Sequence, residues 1–342
     1  MKNRINLSKY QIRTDLIIEN IDEFNDKRVT TNNINDSIKV TTVSIDEDLS
    51  SKLNKKQGDY VTIEFSDITN HEDRKELEKT LVNEIRKMLN GTDISSDATC
   101  LIVGLGNKSS TADSLGPKVV DRVLVTRHLF VLNTNVKEGI REVSAISPGV
   151  MATTGIETFD IITSIVKKTK PQFLIVVDAL ASSSIDRINK TIQLTNTGIH
   201  PGSGVGNNRK ELSFETINIP VIAIGVPTVV ESTIIVNDTI DYLFKHISYI
   251  KKNYTMNKLV FTHNKNYLKD VNEEDLSKNE KKEISGMLGE LDDNDKKALI
   301  EEVLTSLDYN LIVTPKEIDF LIDNLSKVIA KSIDKALHDA IK

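Results

Sequence analysis

"CLIVGLGNKSSTADSLGPKVV", residues 100–120, passes from a wholly apolar run through a Gly-x-Gly turn to an acidic residue ahead of a helical pattern. A short run that is apolar throughout reads as a strand buried on both faces. "PQFLIVVDAL" (171–180) and "INIPVIAIGVP" (217–227) repeat that character. Helical patterns fall between and after them, at 114–130, 155–169 and 233–247. Buried strands alternating with helices predict an α/β fold with a mixed, mainly parallel sheet and helices on both faces.

The flanks extend this plan. "KVTTVSIDEDL" (39–49) and "DYVTIEF" (59–65) read as strands. Residues 71–89 place Leu77, Leu81, Ile85, Met88 and Leu89 at helical spacing, and Asn90-Gly91 closes the pattern. Residues 262–282 turn charged and lose apolar periodicity, which predicts a flexible loop. Two helices, about 293–307 and 315–341, should pack on the same domain. Asp292 or Asp293 would cap the first, and Pro315 would open the second.

Composition excludes some classes. The 342 residues carry a net charge of −6, which argues against a broad nucleic-acid surface. No apolar run reaches the roughly 18 residues of a membrane-spanning helix, and the first twenty residues show no secretory pattern. The single cysteine, Cys100, cannot close an internal disulfide and opens an apolar run, so it is expected to pack in a reducing, cytoplasmic setting.

The turn at Gly104 and Gly106 fits a phosphate cradle poorly. A dinucleotide fingerprint needs a third glycine where Ser109 stands, and a P-loop needs a Gly-Lys pair that is absent. A nucleotide-sensing turn stays open as an alternative. The other feature is Asp113, either a helix cap or a placed carboxylate. Asp178 ends a buried strand, and ligands of open α/β sheets bind beyond the carboxyl ends of the strands. Were the two strands neighbours, Asp113 and Asp178 would face one crevice. Two close carboxylates share a proton, giving an acid and a base for activating water; the same pair could ligate a metal. "TGIHPGSGVGNNRKEL" (197–212) adds a Gly-rich wall with Gly202, Gly204, His200, Arg209 and Lys210. His200 is a candidate third metal ligand, and the remaining histidines, His338 included, read as surface residues.

"YQIRTDLIIE", "GLGNKSSTADSLGPKVV", "VVDALASSSIDRINKTIQLTNTGIHPGSGVGNNRKELS" and "NLIVTPKEIDFLI" together resemble the germination proteases of spore-forming Firmicutes. The resemblance spans about residues 5–340. It implies an endopeptidase that degrades small acid-soluble spore proteins in the forespore and spore core. It also implies a homotetrameric zymogen that removes its own N-terminus, an aspartic pair matching Asp113 and Asp178, and no metal or other cofactor. It implies a fold similar to the hydrogenase-maturation peptidases. The matching processing point is the Asp15–Leu16 bond, making residues 1–15 a pro-segment and 16–342 a single peptidase domain. The family cuts after acidic residues, so Arg187, Arg209 or Lys210 is expected to meet the acidic side chain. No membrane or direct nucleic-acid partner is implied.

Overall fold

A computed structural model describes residues 15–20, 28–53, 55–92, 94–201, 209–253, 276–306 and 311–341. The strands are β1 (Val29–Asn33), β2 (Ile38–Ile45), β3 (Gly58–Phe65), β4 (Cys100–Gly104), β5 (Val143–Ile146), β6 (Phe173–Ser182), β7 (Thr191–Thr195), β8 (Val221–Glu231) and β9 (Ile312–Val313). The helices are α1 (Glu47–Leu53), α2 (His71–Gly91), α3 (Leu115–Val120), α4 (Arg127–Val131), α5 (Met151–Thr154), α6 (Thr158–Thr169), α7 (Phe214–Ile217), α8 (Ser232–Asn253), α9 (Lys278–Ser285), α10 (Asp293–Ser306) and α11 (Ile318–Leu337). Two compact units are distinguished. The larger holds the described residues up to Val229 and those from Thr314 onward; the smaller holds those from Val230 to Val313.

The sheet runs β1-β2-β3-β7-β8-β6-β4-β5. The α/β class and the mixed sheet agree with the sequence, while the antiparallel share is larger than the apolar runs suggest. Parallel pairing joins β4 to β5 and to β6. Antiparallel pairing joins β1 to β2, β2 to β3, β3 to β7, and β7 to β8. β7 escapes a reading by hydrophobicity because Thr191, Gln193 and Thr195 alternate with Ile192 and Leu194, though all five are buried.

Strand alternation sorts the core into two layers. Cys100 and Ile102 of β4, with Phe173, Ile175 and Val177 of β6, pack against Leu81 and Ile85 of α2 and Leu325 and Ile329 of α11. Leu101, Val103, Leu174 and Val176 pack on the opposite face with Ile162 of α6. Both faces are therefore covered by helices, α11 among them. Each fully buried Leu or Ile contributes roughly 1.5–3 kcal/mol relative to exposure. Cys100 packs as expected, and burial pushes its thiol pKa up, away from reactivity.

Four local expectations need correction. The pattern at 114–130 is two helices, α3 and α4, because Thr126 is pinned between them. Its hydroxyl donates to the Arg141 carbonyl and accepts the Val143 N–H at 2.8 Å. The end of the charged stretch is helical: Ser277 and Glu280 form a reciprocal capping box that starts α9. The rest of that stretch, 262–275, lies outside the described residues. His338 is buried rather than exposed, and its Nδ1 accepts the Arg141 backbone N–H at 3.1 Å. In α11 the helix starts at Ile318, three residues past Pro315.

The smaller unit is built on α8 and α10, joined by a buried ion pair of Lys296 and Asp241 at 2.5 Å. β9 pairs there with Val230 and Glu231. Asp292 caps α10 by accepting the Asp295 N–H at 2.8 Å. Among the described residues, no helix is long and apolar enough to cross a membrane.

Candidate active site

The site lies in the larger unit, where β4 ends beside the middle of β6. Asp178 was expected to end its strand, but β6 runs on to Ser182, its later part meeting the Asp15 backbone through the Ala181 carbonyl. β4 and β6 are parallel and in register, Gly104 opposite Val177. The Leu105 N–H continues the ladder to the Val177 carbonyl at 2.8 Å. Asp178 is therefore the next residue of β6 as β4 gives way to its loop. It is buried, and its Oδ1 accepts the Ala179 N–H at 2.9 Å.

The loop from Leu105 folds back to bring Asp113 to this edge. Residues Thr111–Asp113 form a 3-10 turn, and Ser114 occupies the N-cap position of α3. Asp113 is thus no cap for α3. Its Oδ2 and its carbonyl both accept the Asn107 N–H, each at 2.9 Å. The Thr228 hydroxyl on β8 holds the turn by donating to the Ala112 carbonyl at 2.7 Å.

The glycines serve this mount. Gly106 has φ +110°, and a Cβ there would lie 2.1 Å from the Asp113 carbonyl oxygen and 2.8 Å from its Oδ1. A Cβ on Gly104 would lie 2.2 Å from the Gly116 carbonyl oxygen, so strand and helix backbones touch. The Gly-x-Gly turn is explained by the packing of Asp113 and α3, without a phosphate.

The two carboxylates are coupled. Burial pushes the Asp178 pKa well above the usual carboxylate range, and the charges of Asp113 and Asp15 push it further. Burial raises Asp113 too, against the Asn107 N–H and the charge of Arg209, which favour its ionised form. Arg209 acts in the same sense on Asp178. Paired carboxyls whose environments resist double ionisation can hold one proton between them, the arrangement needed to activate water against a carbonyl.

Asp15 sits beside this pair. Its N–H donates to the Ala181 carbonyl at 3.3 Å, and its Oδ2 accepts the Ala181 N–H at 3.0 Å. Its carbonyl accepts from Gln193 Nε2 at 3.1 Å and Lys55 Nζ at 3.5 Å. Gln193 also accepts the Ile17 N–H, through Oε1, at 2.7 Å. The following residues are sunk into the protein. Leu16 and Ile18 pack with Leu180 and Ile199, and Ile17 packs with Val43, Leu49 and Tyr60. Glu19 accepts from the Ser182 hydroxyl at 2.5 Å and the Ser183 N–H at 2.8 Å.

The remaining predicted residues divide. Arg187 meets Glu19 at 3.5 Å and Glu64 at 3.8 Å, one turn of chain beyond Asp15. Lys210 lies over the Phe159 ring and 3.7 Å from Asp160, on α6. His200 pairs with Glu211 at 2.6 Å, and Glu211 with Lys56, so His200 is engaged apart from the two aspartates. Gly202 and Gly204 lie outside the described residues. Among the described residues no cluster of three or more His, Cys, Asp or Glu has metal-site geometry. Lys55, in the segment before β3, and Gln193, in the alternating Thr-Ile-Gln-Leu-Thr of β7, had no distinguishing signal in the sequence.

A family model described as germination protease matches residues 9–342. The germination protease of Bacillus velezensis is 44% identical, covering 99% of this chain and 96% of its own. That of Priestia megaterium is 43% identical over 100% and 97%, and one from Bacillus cereus is 46% identical over 100% and 97%. A solved [NiFe] hydrogenase maturation protease, HycI from Thermococcus kodakarensis, shares 18% identity over 42% of this chain and 80% of its own, with a TM-score of 0.29, too low to carry an argument. Family model and full-length relatives agree, and the chain belongs to the germination protease family.

Proposed function

We propose that this protease uses Asp113 and Asp178 as a proton-sharing pair to hydrolyse peptide bonds after acidic residues. It would first cut its own Asp15–Leu16 bond and then cut small acid-soluble spore proteins as a homotetramer in the spore core. The observation that carries this is the placement of three carboxyl groups: the charges of Asp113 and Asp15 both bear on Asp178, and Asp15 is hydrogen-bonded to Ala181 of the same strand.

Both carboxyls accept a backbone N–H and both pKa values are raised, that of Asp178 well above the carboxylate range, so Asp178 is suited to hold the proton and Asp113 to the ionised role. Because the pair titrates as a unit, the two roles belong to the pair. Asp15 fits the position of an acidic residue before the cut, its side chain held by a backbone N–H of β6.

The test is to incubate the full chain, Asp113→Asn and Asp178→Asn between pH 5 and pH 8, and to follow mass. The wild type should lose residues 1–15 and give Leu16 as its new N-terminus. Either variant cutting itself and a spore protein at the normal rate would remove the pair as the catalytic machinery.

A further inference from the structure

The Asp15 carbonyl oxygen has two side-chain donors, Gln193 Nε2 at 3.1 Å and Lys55 Nζ at 3.5 Å. They come from β7 and from the segment before β3, well apart in the chain. Gln193 is buried in β7 between Ile192 and Leu194, with Thr62 of β3 and Gly225 of β8 across from it. A buried amide needs partners, and this one spends its N–H on Asp15 and its oxygen on Ile17. The two bonds bracket the Asp15–Leu16 peptide from one side. Ala181 holds the other side of Asp15 through the residue's N–H and carboxylate. The peptide proposed for cleavage is thereby fixed at both ends, with its carbonyl oxygen aimed at a positive charge and a dipole.

We propose that Gln193 and Lys55 form the oxyanion site of this protease, a role that rests on Asp15–Leu16 being the bond cut. Water adds to the Asp15 carbonyl carbon and gives a proton to the ionised member of the aspartic pair. The carbonyl π electrons move onto oxygen, between Gln193 and Lys55. As the C=O bond reforms, the C–N bond breaks and the Leu16 nitrogen takes the proton of the other carboxyl. The pair ends with the one proton it began with, and nothing is oxidised or reduced. The 3.5 Å contact of Lys55 is long for a neutral carbonyl. An ammonium serves a charged oxygen far better than a neutral one, and that difference is what accelerates a reaction.

The pairing also explains an otherwise costly placement. Burial pulls the Lys55 pKa below its ordinary value, opposed by the charges of Asp15 and Glu19. The cation is held in a poorly solvated place by the segment that is to be cut.

The experiment follows single-turnover self-cleavage of the full chain by mass spectrometry in wild type, Lys55→Met, Lys55→Arg, Gln193→Leu and Gln193→Glu. Amide hydrogen exchange of residues 16–19 is measured in the same samples. Loss of one donor should slow cleavage about 10²–10³-fold, while exchange protection stays in Lys55→Met and Gln193→Glu. Gln193→Glu keeps the acceptor for Ile17 and lacks the donor. Lys55→Arg should recover part of the rate. Cleavage at the wild-type rate in both Lys55→Met and Gln193→Glu would overturn the assignment. So would slowing that tracks loss of protection, because that marks mere anchoring. Wild type that is never cut at Asp15–Leu16 would instead overturn the processing reading itself.

Discussion

The Asp15 carboxylate accepts the backbone N–H of Ala181, three positions beyond Asp178 on the same strand, at 3.0 Å. A side chain that precedes the proposed cut is therefore held by the same strand, β6, that carries Asp178. Its charge is among the causes that raise the Asp178 pKa, after burial and Asp113.

Asp15→Asn removes that charge and leaves an acceptor for Ala181. Asp178 should then ionise at lower pH than in the wild type. Because the proposed cut needs an acidic residue at position 15, the shift is read on the carboxyl itself. NMR titration of Asp178 across pH 4–9 should give a lower midpoint in the variant; an unmoved midpoint would show that Asp15 does not act on the pair.

Asp178→Asn should raise thermal stability at neutral pH. A carboxyl whose folded pKa is raised binds its proton in the folded state after the unfolded chain has lost it. Stability therefore falls as pH rises through that window. Below about pH 4, the ordinary carboxylate value, both states are protonated and the penalty vanishes. The gain in Tm should be present at pH 7 and shrink toward pH 4. A gain of the same size at both pH values would point to packing instead.

Gly106→Ala should cost roughly 1–3 kcal/mol, from positive φ and overpacking together. It should also cost nearly all proteolytic activity, since the new methyl meets the Asp113 backbone and carboxylate. Gly155→Ala is the control. It also has positive φ, but a Cβ there meets nothing within 4 Å. It should lose stability and keep activity, as read by urea midpoints and by cleavage rates.

Leu16→Ala should loosen the segment after the proposed cut. Leu16 is wholly buried against Leu180, and core Leu→Ala changes cost about 2–5 kcal/mol. The loss should appear as faster amide exchange at residues 16–19, with little change in α2 or α11. Uniform loss across the chain would contradict a locally seated segment.

The central strands were legible because β4, β6 and β8 open on apolar runs. Asp178 was legible because a carboxylate closing such a run stands out, and Asp113 because it precedes a helical pattern in the loop after another. β7 was not, because its polar residues are satisfied by partners that only the fold supplies; Gln193 is one. β1 is an exposed edge strand ending in two asparagines, with no hydrophobic pattern to read. Lys55 resembles any surface lysine in the sequence, and its place beside Asp15 is set by the antiparallel half of the sheet. Arg187, one of three residues expected to meet the acidic residue before the cut, meets Glu19 and Glu64, on the chain after Leu16 and on β3, a placement periodicity does not encode.

Leu16 begins with no contact with solvent. Hydrolysis at the proposed bond would turn its amide nitrogen into a free amine, cationic at neutral pH because such groups titrate near 8. A positive charge created inside the protein must pair or depart. The cut itself supplies one partner, the new carboxylate of Asp15, whose side-chain charge already bears on Asp178. The two new charges would disturb the pair's shared proton until residues 16–19 leave their seat. Severing the chain and freeing the cleft would be two events, with separate rates, and the slower one would set the onset of activity.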